Sequence, residues 1–388
     1  MSHPVRTSPR TAVAGSAPRL EIDLSAIAAN TRLLARRSTG DLMAVVKADG
    51  FGHGAVAVAR TALAAGASSL GVTSIAEAQA LRAAGLHAPV LSWLNAVDAD
   101  WAGAVGQDVD VAIPSRDHLD ALTRATIGAR VHLSLDTGMG RDGCSPVEWA
   151  DLCRAARMAE RQGRLTVVGM MGHLPCADVP EDPSNSRGRN RFSWGLMTAR
   201  AAGLRPTVRH LAATSATLLD PLAHHTTTRV GAGLVGIDPS RTTALRPALT
   251  LTAPLVEVRS IHGGTSIGYG HTWTAPGPTR LGLVPLGYAD GLPRSASGRA
   301  EMQVRGERVP VVGRISMDMA VVDLGASGAE VGEIVTVFGP GDAGEPTVRE
   351  WADAADVLEH EIVTGLGARV ARGFRPARPP AAALRSVR

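Results

Sequence analysis

Residues 43–54 read Met43-Ala-Val-Val-Lys47-Ala-Asp-Gly-Phe-Gly-His-Gly54. The apolar, β-branched run Leu42–Val46 reads as a buried strand. It ends on a lysine and enters a turn carrying Gly50, Gly52 and Gly54. Seven further runs of the same kind follow: Ser69–Val72, Pro89–Trp93, Val109–Ile113, Ala129–Leu135, Val167–Gly172, Val208–Ala212 and Thr228–Val235. The segments between them, such as Ile75–Ala84 and Pro146–Gln162, space their apolar residues as helices do. Eight strand–helix repeats point to an α/β fold, a (β/α)8 TIM-type barrel.

After Arg246 the texture changes. Leu249–Val258, Leu281–Leu286, Glu301–Val304, Val309–Val312, Ala320–Leu324 and Ile334–Phe338 read as strands joined by turns rich in Gly, Pro, Ser and Asp. Pro310 is expected to confine its run to an edge. Helical pattern returns at Val348–Val357. The expected organisation is a disordered N-terminal tail over residues 1–18, a barrel over 19–245, a C-terminal, mostly β domain over 246–374, and a disordered tail over 375–388.

Composition narrows the function. The net charge is +4, but seven arginines lie before residue 20 or after residue 374, leaving residues 20–374 net negative. With four Phe and two Tyr there is also little for base stacking, so no nucleic-acid partner is expected. No run of 18 apolar residues suggests a membrane span, and residues 1–18 lack the apolar core of a signal peptide. Cys144, Cys153 and Cys176 have no metal-ligand spacing. The expectation is a cytoplasmic protein without a cysteine-based metal site.

The 40 basic residues include one lysine, Lys47. Guanidinium solubilises a surface as well as ammonium does, but it does not lose its proton at ordinary pH. In a barrel the C-terminal strand ends line the active site. A partly desolvated lysine there has a lowered pKa, and its neutral amine can form a Schiff base with an aldehyde cofactor. A lysine that caps a strand or pairs with Asp49 is the plainer reading of the same position. Other strand ends add Asp136 and Arg141, His173, Thr214 and Ser215, and Arg229, Gly231 and Ala232. The loops after strands seven and eight often bind phosphate, and small residues with available N–H groups suit that task.

These segments resemble the alanine racemase family. The resemblance is carried by Val46 through Gly54, Asp136-Thr-Gly-Met-Gly-Arg141, His173 through Asp178, Arg229-Val-Gly231, Gly268-Tyr-Gly270, Gly287 through Arg294 and Gly313 through Asp318, in the family's order over about residues 20–374. It implies pyridoxal 5'-phosphate as cofactor, an amino acid as small-molecule substrate, and a homodimer with shared active sites. It implies that Lys47 and Tyr269 of the partner subunit are the two acid/base groups of an isomerase that interconverts L- and D-alanine. Bases on opposite faces of a planar carbanion suffice for racemisation. The same resemblance gives Phe51, Arg141, His173, Ser215, Arg229, Gly231 and Ala232 to the cofactor. Arg141, Tyr288 and Met317 fall to the substrate, and Asp178, Arg294 and Arg314 to the entrance.

Four positions depart from the family. Phe51 and Ala368 stand where tyrosines are usual, Thr214 where asparagine is usual, and Ser134 where many members carry a carbamylated lysine that props the arginine matching Arg141. Phe51 implies weaker cofactor retention, and Ala368 more room beside the substrate. A racemase of a larger amino acid, or a diverged pyridoxal-binding paralogue, is the alternative expectation.

Overall fold

The computed structural model describes residues 17–376. The expected tails therefore lie outside the described residues, apart from their inner ends. The chain divides into two compact units, residues 23–248 and residues 249–374 joined by the segment up to Ile22.

The larger unit is the barrel. Eight parallel strands, Asp41–Val45, Ser69–Val72, Val90–Ser92, Val109–Ile113, Ala129–Ser134, Leu165–Met171, Val208–His210 and Thr227–Val230, follow one another in chain order, and the eighth pairs with the first. The seventh and eighth close the ring through single bonds, including Arg229 N–H to Ala212 O at 3.0 Å and Thr226 N–H to Arg209 O at 3.1 Å. The strands are mostly buried, and Val109–Ile113 is buried at all five positions although it carries Asp110. Strands covered on both faces need no alternation. Met43, Leu91, Ala112 and Met171 fill the barrel, with Trp93 against them. Gly71 makes room for that packing: a Cβ there would lie 2.7 Å from the Trp93 ring and 3.0 Å from Met43 Sδ.

Helices cover the outside, and their starts are written locally. Ser74 and Glu77 form a capping box on Ile75–Ala83, and Ser115 accepts from His118 N–H at the start of Arg116–Ala125. The expected eighth strand, Thr228–Val235, stops at Val230. The backbone turns at Gly231 and continues as a single 3₁₀ turn, Ala232–Val235.

The smaller unit is built on a nine-stranded sheet. The expected run Leu249–Val258 is two strands, Leu249–Pro254 and Glu257–Ile261, with different neighbours. Arg19–Asp23 pairs with Leu249–Pro254, so this sheet recruits a strand from before the barrel, in the stretch expected to open the barrel domain. Pro310 is not on an edge. Its strand, Glu307–Val312, pairs with Glu301–Val304 through its first four residues and with Ala320–Asp323 from Val311 onward. Val311 N–H donates to Ala300 O at 2.9 Å, so by alternation the missing N–H of residue 310 faces the side where pairing has not yet begun. The unit also carries a two-stranded ribbon, Ser266–Ile267 with Trp273–Thr274. No described helix is long and apolar enough to cross a membrane.

Candidate active site

Lys47 follows the first barrel strand and is half-buried. The turn after it is left-handed: Ala48, Asp49 and Phe51 take φ of 51°, 53° and 57°, and Gly50 takes 64°. Left-handed backbone costs roughly 1–2 kcal/mol for each non-glycine residue. Several bonds hold it. Gly50 N–H donates to Val46 O and Gly52 N–H to Ala48 O, both at 2.9 Å, and Gly54 N–H donates to Asp49 O at 2.8 Å. Asp49 Oδ1 accepts from Ala55 N–H at 2.9 Å, so this carboxylate secures the turn.

Glu77, which sequence reasoning missed, adds a further hold. Its Oε2 caps the helix, accepting from Thr73 N–H at 2.8 Å and Thr73 Oγ1 at 2.7 Å, while its Oε1 accepts from Ala48 N–H at 2.8 Å. The Ser74-x-x-Glu77 capping box was a legible signal, but the reach of the second oxygen to residue 48 was not. Burial alone would raise the Glu77 carboxyl, but these hydrogen bonds hold it below its ordinary value. Burial pushes the Lys47 amine down, the charges of Arg141 and Arg229 push it the same way, and Glu77 opposes them.

Arg229 lies on the eighth strand and is 6% exposed. It donates to three carbonyls, those of Gly172 (2.7 Å), His210 (2.8 Å) and Leu211 (3.3 Å). Its Nη2 lies 3.1 Å from His173 Nδ1 and its Nη1 3.0 Å from His210 Nδ1. Burial lowers its guanidinium to about 10, which leaves it charged at neutral pH. His173 is pushed down to about 3 by burial and by the charges of Arg229, Arg141 and Lys47. A neutral imidazole can accept from the arginine. Thr137 Oγ1 fixes the His173 backbone, donating to His173 O at 2.5 Å.

Ser215, Gly231 and Ala232 are buried after strands seven and eight. Their N–H groups donate to no atom of the described residues. Thr214, where the family has asparagine, accepts from Gly233 N–H at 3.2 Å and so ties the two loops together. A Cβ at Gly231 would lie 2.6 Å from the Phe51 ring and 3.3 Å from Val45 Cβ. The ring of Phe51 therefore packs directly against Gly231.

Arg141 is exposed, and among the described residues no carboxylate pairs with it. Ser134, in place of the lysine, is buried, and its carbonyl accepts from Cys144 N–H at 2.7 Å. Asp136 shapes the arginine's loop by accepting from Gly138 and Gly140 N–H at 2.8 and 3.1 Å. Asp178 is exposed.

The smaller unit gathers the remaining residues. Tyr269 is 71% exposed, between Gly268 and Gly270 with φ of 71° and 73°. A Cβ at Gly270 would lie 2.9 Å from Arg314 Nη1, so that guanidinium sits beside the tyrosine. Tyr288 and Met317 are held together by Tyr288 N–H to Ser316 O at 3.0 Å and Ala289 N–H to Met317 O at 2.9 Å. Arg369 braces both loops, reaching Asp290 at 2.9 Å and Asp318 at 2.7 Å. Arg294 opens a 3₁₀ turn, Arg294–Ala296, and Ala368 is exposed.

Two family models match the chain, alanine racemase N-terminal domain over residues 22–239 and alanine racemase C-terminal domain over residues 248–374. The chain belongs to the alanine racemase family. It is 45% identical to the alanine racemase of Streptomyces coelicolor over 384 residues, covering 95% of this chain and 98% of that one. It is 43% identical to the alanine racemase of Thermobifida fusca, over 91% of this chain and 96% of that one. Among solved structures, the alanine racemase of D-cycloserine-producing Streptomyces lavendulae superposes with a TM-score of 0.91 at 40% identity, covering 94% of this chain and 98% of that chain. The Streptomyces coelicolor A3(2) enzyme does so with a TM-score of 0.90 at 45% identity, covering 92% of this chain and 98% of that chain. A barrel with a mostly β C-terminal domain is thus the family fold, as the strand rhythm implied.

Proposed function

We propose that this chain is an alanine racemase that uses pyridoxal 5'-phosphate and acts as a homodimer. It interconverts L- and D-alanine. The observation that carries this reading is the joint position of the chain's one lysine and its acid-free buried arginine at the mouth of a barrel belonging to this family. A racemase of a larger amino acid, or a paralogue with other chemistry, is not favoured, because the relatives at 42–45% identity are alanine racemases.

The donor set suits the cofactor. Lys47 offers an amine whose pKa is lowered, and would hold the aldehyde end covalently. Ser215, Gly231 and Ala232 offer buried N–H groups for a phosphate. Arg229 offers a guanidinium for the ring nitrogen, with His173 steadying it at 3.1 Å. When bound, the cofactor supplies an electron sink that acidifies the Cα proton. Arg229 keeps its own proton, so it limits that sink to what racemisation needs.

The protein's part is proton handling. Lys47 Nζ takes or returns the Cα proton on one face, and the Tyr269 hydroxyl of the partner subunit acts on the other. Arg141, Tyr288 and the Met317 N–H are assigned to the substrate, the last two again from the partner. Asp178, Arg294 and Arg314 are assigned to the entrance. Cys144 and Cys153 are buried and unpaired, their thiols pushed up to about 11 and about 12 by burial. Inert free thiols suit a reducing cytoplasm. The test is L-alanine in deuterated solvent: D-alanine carrying deuterium at Cα is expected, and loss of carboxyl or amino group instead would refute the reading.

A further inference from the structure

Arg229 is joined to a second constellation inside the barrel. A buried charge without a counter-ion is costly, yet among the described residues no carboxylate lies within ion-pair distance of Arg229. Its Nη1 lies 3.0 Å from His210 Nδ1. The other nitrogen of that ring, Nε2, lies 2.8 Å from His132 Nδ1. His132 Nε2 in turn faces Asp110 Oδ2 at 3.5 Å. Asp110 pairs with Arg130 at 2.6 Å, and Arg130 reaches Asp108 at 3.2 Å. The chain crosses the barrel from the eighth strand through the seventh and fifth to the fourth. His210, His132 and Asp110 are all buried.

Proton positions follow from the arginine end. A guanidinium only donates, so His210 Nδ1 accepts. Burial and the charge of Arg229 keep His210 neutral, its pKa well below the ordinary value. Its proton is then on Nε2 and is given to His132 Nδ1. That leaves the His132 proton on Nε2, facing Asp110. The links from Arg229 to His210 and from His210 to His132 each have one donor and one acceptor and run in one direction, and His132 Nε2 then faces the Asp110 carboxylate across a longer contact of 3.5 Å. The charges also balance: Asp108, Asp110 and Arg130 leave one net negative charge at the far end, opposite Arg229.

The backbone is shaped around this path. His132 sits where the register between strands five and six shifts, opposite Gly169. A Cβ at Gly169 would overlap the His132 ring. A glycine inside a strand weakens it, so the strand gives up packing to house an imidazole.

We infer that Asp110, acting through His132 and His210, is the remote counter-ion and positioning residue of Arg229. The inference rests on the proposed function only for what the guanidinium does in turnover. Its test uses the full-length holoenzyme labelled with ¹⁵N-histidine, with Asp110→Asn, His132→Gln and the double variant. In the unsubstituted protein, imidazole ¹⁵N spectra are expected to show His210 and His132 neutral with the proton on Nε2. A proton on Nδ1 of either ring overturns the inference, whatever the variants do. Asp110→Asn should lower kcat about tenfold, about 1.4 kcal/mol of barrier, with KM within about twofold. His132→Gln should do the same, and the double variant should be no worse than either, because both act along one path. An unchanged kcat in Asp110→Asn, or losses that multiply in the double variant, overturns the inference. An unsubstituted protein with no racemase activity would sink the functional reading, while the tautomer spectrum would still decide the relay.

Discussion

Glu77→Gln isolates the hold that the second barrel helix keeps on the lysine turn. The carboxylate serves two sets of donors, Thr73 N–H, Thr73 Oγ1 and Ser74 N–H on Oε2, and Ala48 N–H on Oε1. An amide has one oxygen. It satisfies the larger set, keeps the helix cap, and turns its NH2 toward Ala48 N–H. A bond to a charged acceptor is worth about 1.5–3 kcal/mol when buried. Ala48 is exposed, so water replaces part of it and about 1 kcal/mol is the expected loss. That is a large part of what offsets one left-handed residue, and Ala48, Asp49 and Phe51 are all left-handed.

The turn should therefore populate relaxed conformations that misplace Lys47. Small misplacements of a reacting group cost up to about 100-fold in rate, so a partial effect of about tenfold in kcat with little change in KM is expected. A second readout is the amine itself. Glu77 holds the Lys47 pKa up against burial and the arginines. Its neutralisation should move the pH profile for cofactor attachment to the cofactor-free protein toward lower pH. Steady-state racemisation and stopped-flow cofactor attachment measure both. A kcat within twofold of the unsubstituted enzyme together with an unshifted attachment profile would refute the argument.

Phe51→Tyr should tighten cofactor binding by about 0.5–1.5 kcal/mol, roughly two- to tenfold in Kd, because the ring packs against Gly231, one of the residues proposed to hold the phosphate; equilibrium dialysis with an unchanged Kd would contradict this. Gly231→Ala places a Cβ 2.6 Å from the Phe51 ring, an overpacking of about 1–3 kcal/mol, and should weaken cofactor retention. Adding Phe51→Ala should recover part of that loss, and no recovery would mean the clash lies elsewhere. His173 has a folded pKa of about 3, below its unfolded value of about 6.5. The unfolded chain therefore takes up the proton first, and the stability present above pH 6.5 is lost as pH falls toward 3, at about 1.4 kcal/mol per pH unit. Urea midpoints of His173→Gln should fall less steeply than those of the unsubstituted protein between pH 6.5 and 4; parallel slopes would rule out a neutral, buried His173.

The barrel was legible because a strand covered on both faces is a short apolar run, and eight of them recur with helical spacing between. What blurred was set by partners distant in sequence. Arg19–Asp23 is a strand because Leu249–Pro254 lies beside it, which no local pattern announces. Pro310 was expected on an edge because the rule counts a lost N–H, but here that N–H falls between two ladders. At the site, Lys47, Arg229 and the Gly231 nest were readable as polar or small residues at strand ends. Glu77, His132, His210 and Asp110 were not, since a helix-cap acid and strand-interior polar residues look structural until their second contacts are seen.

In the proposed reaction Lys47 and Tyr269 of the partner subunit work on opposite faces of one Cα. Tyr269→Phe, loaded with cofactor and given each enantiomer of alanine separately in deuterated solvent, tests it most directly. Each base removes the proton from one enantiomer only, so the variant should exchange the Cα hydrogen of one enantiomer, lose exchange of the other, and no longer racemise. Exchange of both enantiomers at undiminished rates, with racemisation intact, would contradict the two-base account.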